Sequence, residues 1–205
     1  VSRPGKNSLS VEEDSVRPTD AAERNRLNKL DPYGHGKLEV EEYIQKHSNT
    51  GKGVPFLFLR LPDVLGPRDT TGRWWEYQLW IQYSTILNVP IPISPRFRVT
   101  STSYVYVKDV ARLISTIISD SDLSSVRNQI FNIGYDKPRS LRELLSGIAQ
   151  AINAPLPTFD LESVEDPLLI GGNFTLPSVQ RGPINVSKDI CDAERLGFRM
   201  SEDHM

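Results

Sequence analysis

Only one cysteine, Cys191, occurs in 205 residues, so no disulfide closes within the chain; such scarcity fits a reducing compartment. No apolar run approaches the roughly 20 residues that a helix needs to span a bilayer. The opening stretch, VSRPGKNSLS, has no secretory-signal pattern. An excess of either charge is missing too. A net charge of −2 supplies no field that would gather nucleic acid or an anionic membrane surface. Repeats and low-complexity tracts are also lacking. These absences lead to an expectation of a cytoplasmic, intracellular protein with neither a nucleic-acid nor a membrane partner. The sequons Asn173-Phe-Thr and Asn185-Val-Ser are accordingly read as unmodified.

What is present is an ordinary globular composition, 38% hydrophobic and 24% charged, in a length that suits one domain or two small ones. Residues 1–28, polar and interrupted by two prolines, read as a surface loop or frayed end. From Tyr33 to His47 the pattern is helical. VPFLFLR (54–60) is a continuous apolar run between Gly53 and Pro62, the pattern of a strand buried on both faces in a parallel sheet. A loop rich in Pro, Gly and Asp follows, then an aromatic helix over 74–87 and a proline-broken extended stretch. YVYV (104–107) reads as a strand leading into a helix with Val110, Leu113, Ile114 and Ile117 on one side. QIFNIG (129–134) is another strand. Ser140-Leu-Arg-Glu143 forms a capping box for the helix after it, and Ser187 caps a last helix that stops at Gly197. Strands and helices alternating with short connections predict an α/β fold.

One stretch, DPYGHGKLEVEEYI (31–44), has two readings. Asp31, Gly36, Leu38 and Glu42 fall at EF-hand positions, but Tyr33 and His35 stand where oxygen ligands belong and Pro32 is awkward in the loop. No metal site is expected. Alternatively, Tyr33 and Lys37 lie four apart on one helix face, about 5–6 Å between β-carbons. An ammonium beside a phenol favours the phenolate and so assists proton exchange near neutral pH. Tyr104 and Lys108 repeat the spacing on a strand, where four residues span about 13 Å and the groups cannot cooperate.

Context favours the second reading. DPYGHGKLEVEEYI, VPFLFLRLPDVLGP, YVYVKDVARLI and NQIFNIGYDKPRSLRELLSGIAQAI, in that order over about 31–153, resemble the extended short-chain dehydrogenase/reductase family. That family is also called the NAD-dependent epimerase/dehydratase family, and NVSKDICDAERLGF resembles its closing helix. The resemblance implies a Rossmann-type, doubly wound parallel sheet with a small α/β substrate-binding subdomain. It implies NAD or NADP as cofactor and a sugar-nucleotide or similar hydroxy or keto small molecule as substrate. Tyr33 would be the general acid/base. Lys37 would hold the nicotinamide ribose and favour the ionised phenol. Leu61 and Pro62 would line the cofactor. Asp63 would stand where many members carry a substrate-touching asparagine, and Arg98 near a phosphate-binding arginine. A homodimer through the Tyr33–His47 helix is a further expectation from the resemblance.

Read without the family, Asp63 caps a turn beside Pro62, and Asp109 sits favourably at the start of a helix. Trp74, Trp75 and Trp80 belong to core or interface. His35, between two glycines, is solvent-exposed. The departure from the family is the missing glycine-rich strand–turn–helix that receives a pyrophosphate; none occurs in this sequence. The expectation is therefore a partial Rossmann-type domain lacking its N-terminal half. Residues 1–66 and 104–134 would be what remains of the dinucleotide-binding fold, and 67–103 and 135–205 the substrate-binding subdomain. Such a chain would be marginally stable alone. The alternative is a catalytically silent fold remnant that acts, if at all, through protein contacts.

Overall fold

The computed structural model describes residues 11–93, 101–135 and 137–160. They divide into two compact units, one holding residues up to Pro62 with Ala111–Gly134, the other Asp63–Val110 with the residues from Tyr135 onward.

The first unit opens with a short turn, Glu12–Asp14, followed by helices α1 (Ala21–Leu30) and α2 (Pro32–His47) and strand β1 (Leu57–Arg60). Both helices begin where a carboxylate takes an otherwise unpaired backbone N–H. Asp20 accepts from the Glu23 amide at 2.8 Å, and Asp31 from the Gly34 amide at 2.8 Å. Pro32 fills the first position of α2, where its missing N–H costs nothing. Lys46 and His47 in the last turn complement the negative helix end. α1 corrects the expectation of a loop over 1–28. TDAAER carries a cap followed three residues later by glutamate, and that local signal outweighs the polarity of the segment. Residues 1–10 lie outside those described.

Strand β1 pairs in parallel with β6 (Gln129–Asn132), Leu57 opposite Gln129 through Arg60 opposite Asn132. The Ile133 N–H extends the ladder onto the Arg60 carbonyl at 2.9 Å. All four β1 residues are half-buried, not enclosed on both faces as the apolar run predicts, because a two-stranded ladder covers less than a broad sheet.

The second unit contains β2 (Asp63–Leu65), α3 (Arg73–Leu87), β3 (Ile91–Pro92), β4 (Ser101–Thr102), β5 (Tyr104–Tyr106), β7 (Arg139–Ser140), α5 (Leu141–Ala151) and β8 (Phe159–Asp160). Helix α4 (Val107–Ser119) gives its first turn to this unit and the rest to the first. β2–β5 and β3–β8 are parallel pairs and β4–β7 is antiparallel. The mixed α/β architecture with parallel pairs agrees with the expected partial α/β fold. Its core gathers Tyr77, Trp80 and Ile81 of α3, Ile91, Ile93 and Tyr104, and Leu141, Leu144, Leu145 and Ile148 of α5. Those α5 residues recur at the three-to-four spacing of a single buried stripe. Ser140 and Glu143 form the reciprocal capping box at its start. In α4, Val110 and Leu113 are buried as expected, but Ile114 is exposed. The helix over 187–196 falls outside the described residues.

Candidate active site

Helix α2 presents two chemically different sides. Tyr33 is 65% exposed, and the Lys37 ammonium lies 5.4 Å from the centre of its ring. Four-residue spacing on a helix thus brings phenol and ammonium together on an outward face, where a ligand can reach both. Gly36 lies beside them, and a β-carbon there would meet nothing within 4 Å. Residues 32–47 are one helix, so the loop required for calcium coordination is not formed, and the Asp31 carboxylate is engaged as the cap.

The opposite side is ionic, with Arg17 and His35 buried and Glu39 and Glu42 reaching toward solvent. His35, expected to be exposed, is only 7% accessible. It faces away from Tyr33 because the helix turns it inward, and its Nε2 lies 3.0 Å from an Arg17 guanidinium nitrogen. Arg17 also forms a two-pronged pair with Glu42, at 3.0 and 2.6 Å, and reaches Glu39 at 3.1 Å. The Arg17 hydrogen bonds are the main cause that holds the Glu42 carboxyl below the ordinary carboxylate range. The same bonds hold the Arg17 guanidinium still more firmly protonated. Farther along, Arg60 at the end of β1 clasps Glu41 at 2.6 Å and donates to the Glu12 and Ser15 carbonyls at 2.7 and 3.2 Å. The Glu12 carboxylate in turn accepts from the Asn132 amide at 2.7 Å. The 12–17 segment is therefore pinned to α2, β1 and β6. This network is not legible from local spacing, because Arg17 and Glu42 are 25 residues apart.

Leu61 and Pro62 follow β1 in the first unit, Leu61 half-buried and Pro62 buried. Asp63 belongs to the second unit. It opens β2 in register with Tyr104. Arg98 lies outside the described residues. Asp109 sits in the first turn of α4 as expected, 1% exposed, and accepts from the Tyr135 hydroxyl at 3.2 Å. Trp80 enters the core, Trp74 packs against it and Trp75 is 60% exposed. Among the described residues no three His, Cys, Asp or Glu side chains group as metal ligands, and no helix is long and apolar enough to cross a membrane.

Comparison with known proteins identifies the family of this α/β chain. The sequence model of the NAD dependent epimerase/dehydratase family matches residues 10–134. The chain belongs to that family. No curated protein matches it. Among solved structures it resembles UDP-glucose 4-epimerase of Thermus thermophilus in complex with NAD (21% identity, TM-score 0.57, 96% of this chain and 54% of that one). It also resembles dTDP-glucose 4,6-dehydratase of Bacillus anthracis with NAD (14%, 0.56, 93% and 51%). RMD of Pseudomonas aeruginosa with NADPH is a third (15%, 0.56, 83% and 50%). The chain spans about half the length of these structures, and at such identities the likeness is one of fold.

Proposed function

We propose that the chain carries the acid/base centre of an NAD- or NADP-dependent epimerase/dehydratase-type oxidoreductase that acts on a sugar nucleotide or similar hydroxy or keto substrate. The observation that carries this reading is the Tyr33–Lys37 pair on the outward face of α2, with the ammonium 5.4 Å from the ring centre, inside the family-matched segment. Tyr33 exchanges a proton with the substrate hydroxyl or carbonyl. Lys37 supplies positive charge at that exchange and a donor for the ribose hydroxyls of the cofactor.

The residues present suit the nicotinamide-ribose end of such a cofactor: an exposed phenol and an ammonium share one face, with an open approach over Gly36. Leu61 and Pro62 are proposed to line it, and Asp63 and Arg98 to contact substrate. For the pyrophosphate the sequence holds no glycine-rich turn. A bound nicotinamide would supply hydride transfer; the proton is the task of this chain. In the division of labour we propose, 1–66 and 104–134 belong to the dinucleotide-binding fold and 67–103 and 135–205 to the substrate subdomain. We further propose a cytoplasmic setting, which the scarcity of cysteine supports, and the homodimer through α2 that the family resemblance implies, which exposed Val40 and Tyr43 support.

Titration of NAD and NADP against the purified chain tests the enzymatic reading. Saturable micromolar binding, weakened in Lys37→Met, would support it. No binding would favour the catalytically silent alternative.

A further inference from the structure

The ionic side of α2 carries an inference that the acid/base reading does not need. A guanidinium can only donate hydrogen bonds, so the 3.0 Å contact between Arg17 and His35 Nε2 requires a lone pair on that nitrogen. For that hydrogen bond to form, the ring must be neutral with its proton on Nδ1. Nδ1 is buried and has no hydrogen-bond partner among the described residues. A residue chosen only to accept from Arg17 would not bring a buried, unanswered donor with it. What a histidine adds over other acceptors is that a second proton converts Nε2 into a donor aimed at donors.

The consequences converge on one segment. The Arg17 side chain is 7% exposed and lies along His35, Glu39 and Glu42. At roughly 100° per residue these three fall within about 60° of one another. Tyr33, Lys37 and Val40 fall on the opposite side of the helix, roughly 160° around by the same count. The charged groups joined to this contact are Arg17 from the 12–17 segment, Glu39 and Glu42 on α2, which pair with it, and Arg24 from α1, which reaches Glu42. With a neutral ring the two guanidinium groups balance the two carboxylates. A second proton leaves this cluster with an excess positive charge beside the buried Arg17 and His35 and at the same time removes the Arg17 acceptor.

We propose that His35 is a proton-sensitive latch: its neutral ring holds Arg17, and with it the 12–17 segment, against the inner side of α2, and ring protonation loosens that segment. The latch does not rest on the acid/base reading above.

Amide hydrogen exchange of the peptide covering residues 11–20, corrected for intrinsic rates, tests it across the imidazole titration, with the ring state read in parallel from its NMR signals. Wild-type protein is expected to lose at least roughly tenfold protection there as the ring protonates, in line with one lost bond to a charged group. The α5 peptide serves as control and should keep its protection. His35→Gln, which keeps an acceptor that does not titrate, should hold the segment with no such acid response, and His35→Leu should leave it loose throughout. A wild-type segment indifferent to ring protonation, or an unchanged acid response in His35→Gln, would overturn the latch. The wild-type series decides the matter even where a variant folds poorly. No nucleotide is needed, so this result is separate from that of the cofactor titration.

Discussion

At the scale of single residues, the proposed proton transfer rests on two side chains, Tyr33 and Lys37. Tyr33 and Lys37 are legible in the sequence because a four-residue spacing becomes a shared face once a helix forms. His35 is not, since its neighbours in sequence are glycines while its partner, Arg17, is 18 residues away. Asp63 reads locally as a turn residue, yet pairing with β5 draws it into a strand. Gly66 illustrates a backbone demand. Its φ is +138°, and a β-carbon would lie 2.6 Å from Val107 Cγ1. Gly66→Ala should destabilise the second unit by about 1–3 kcal/mol, the usual cost of a strained position. Urea denaturation measures it, and an unchanged midpoint would contradict the geometry.

At the scale of elements, helix ends are legible wherever a side chain does the capping. Ser140 and Glu143 mark the start of α5 in sequence and in structure alike. Asp20 and Glu23 give the same kind of signal for α1, which the polar character of the segment obscures. Strand extent is less legible, because an apolar run records what it is able to bury, not how many partners it meets. The outer side of α2 exposes Tyr33 and Lys37 near its start and Val40 and Tyr43 farther on, the latter two at 56% and 63% exposure and proposed above as a dimer contact. A charge placed within an apolar contact leaves it uncompensated. Val40→Glu combined with Tyr43→Glu should therefore convert a dimer to monomer in sedimentation experiments while leaving the circular dichroism unchanged. A dimer that survives both changes would place its interface elsewhere.

At the scale of the whole molecule, the two units are held differently. The second has a contiguous apolar core. The first combines a two-stranded ladder with the Arg17 and Arg60 ion networks. Low thermal stability of the isolated chain, or dependence on a partner, follows from a half-buried β1, and a cooperative high-temperature melt of a monomer would contradict it. Acid should lower stability further. Glu42 and Glu143 are held below the ordinary value of 4.5, the first by Arg17 and the second by Ser140. A depressed carboxyl contributes stability that is complete above its unfolded value and is lost as pH falls through its folded one. The melting temperature should thus decline below about pH 4.5, where unfolded carboxylates begin to protonate. A flat profile down to pH 3 would show that these bonds contribute little.

The most direct measurement of the central claim is turnover of Tyr33→Phe beside wild type, both set in a longer form that supplies the pyrophosphate-binding turn, with NAD and NADP and a panel of nucleotide sugars. Loss of the phenolic proton should lower kcat by about 10²- to 10⁴-fold while cofactor affinity stays largely intact. Wild-type turnover in Tyr33→Phe would contradict the assignment of proton transfer to this helix.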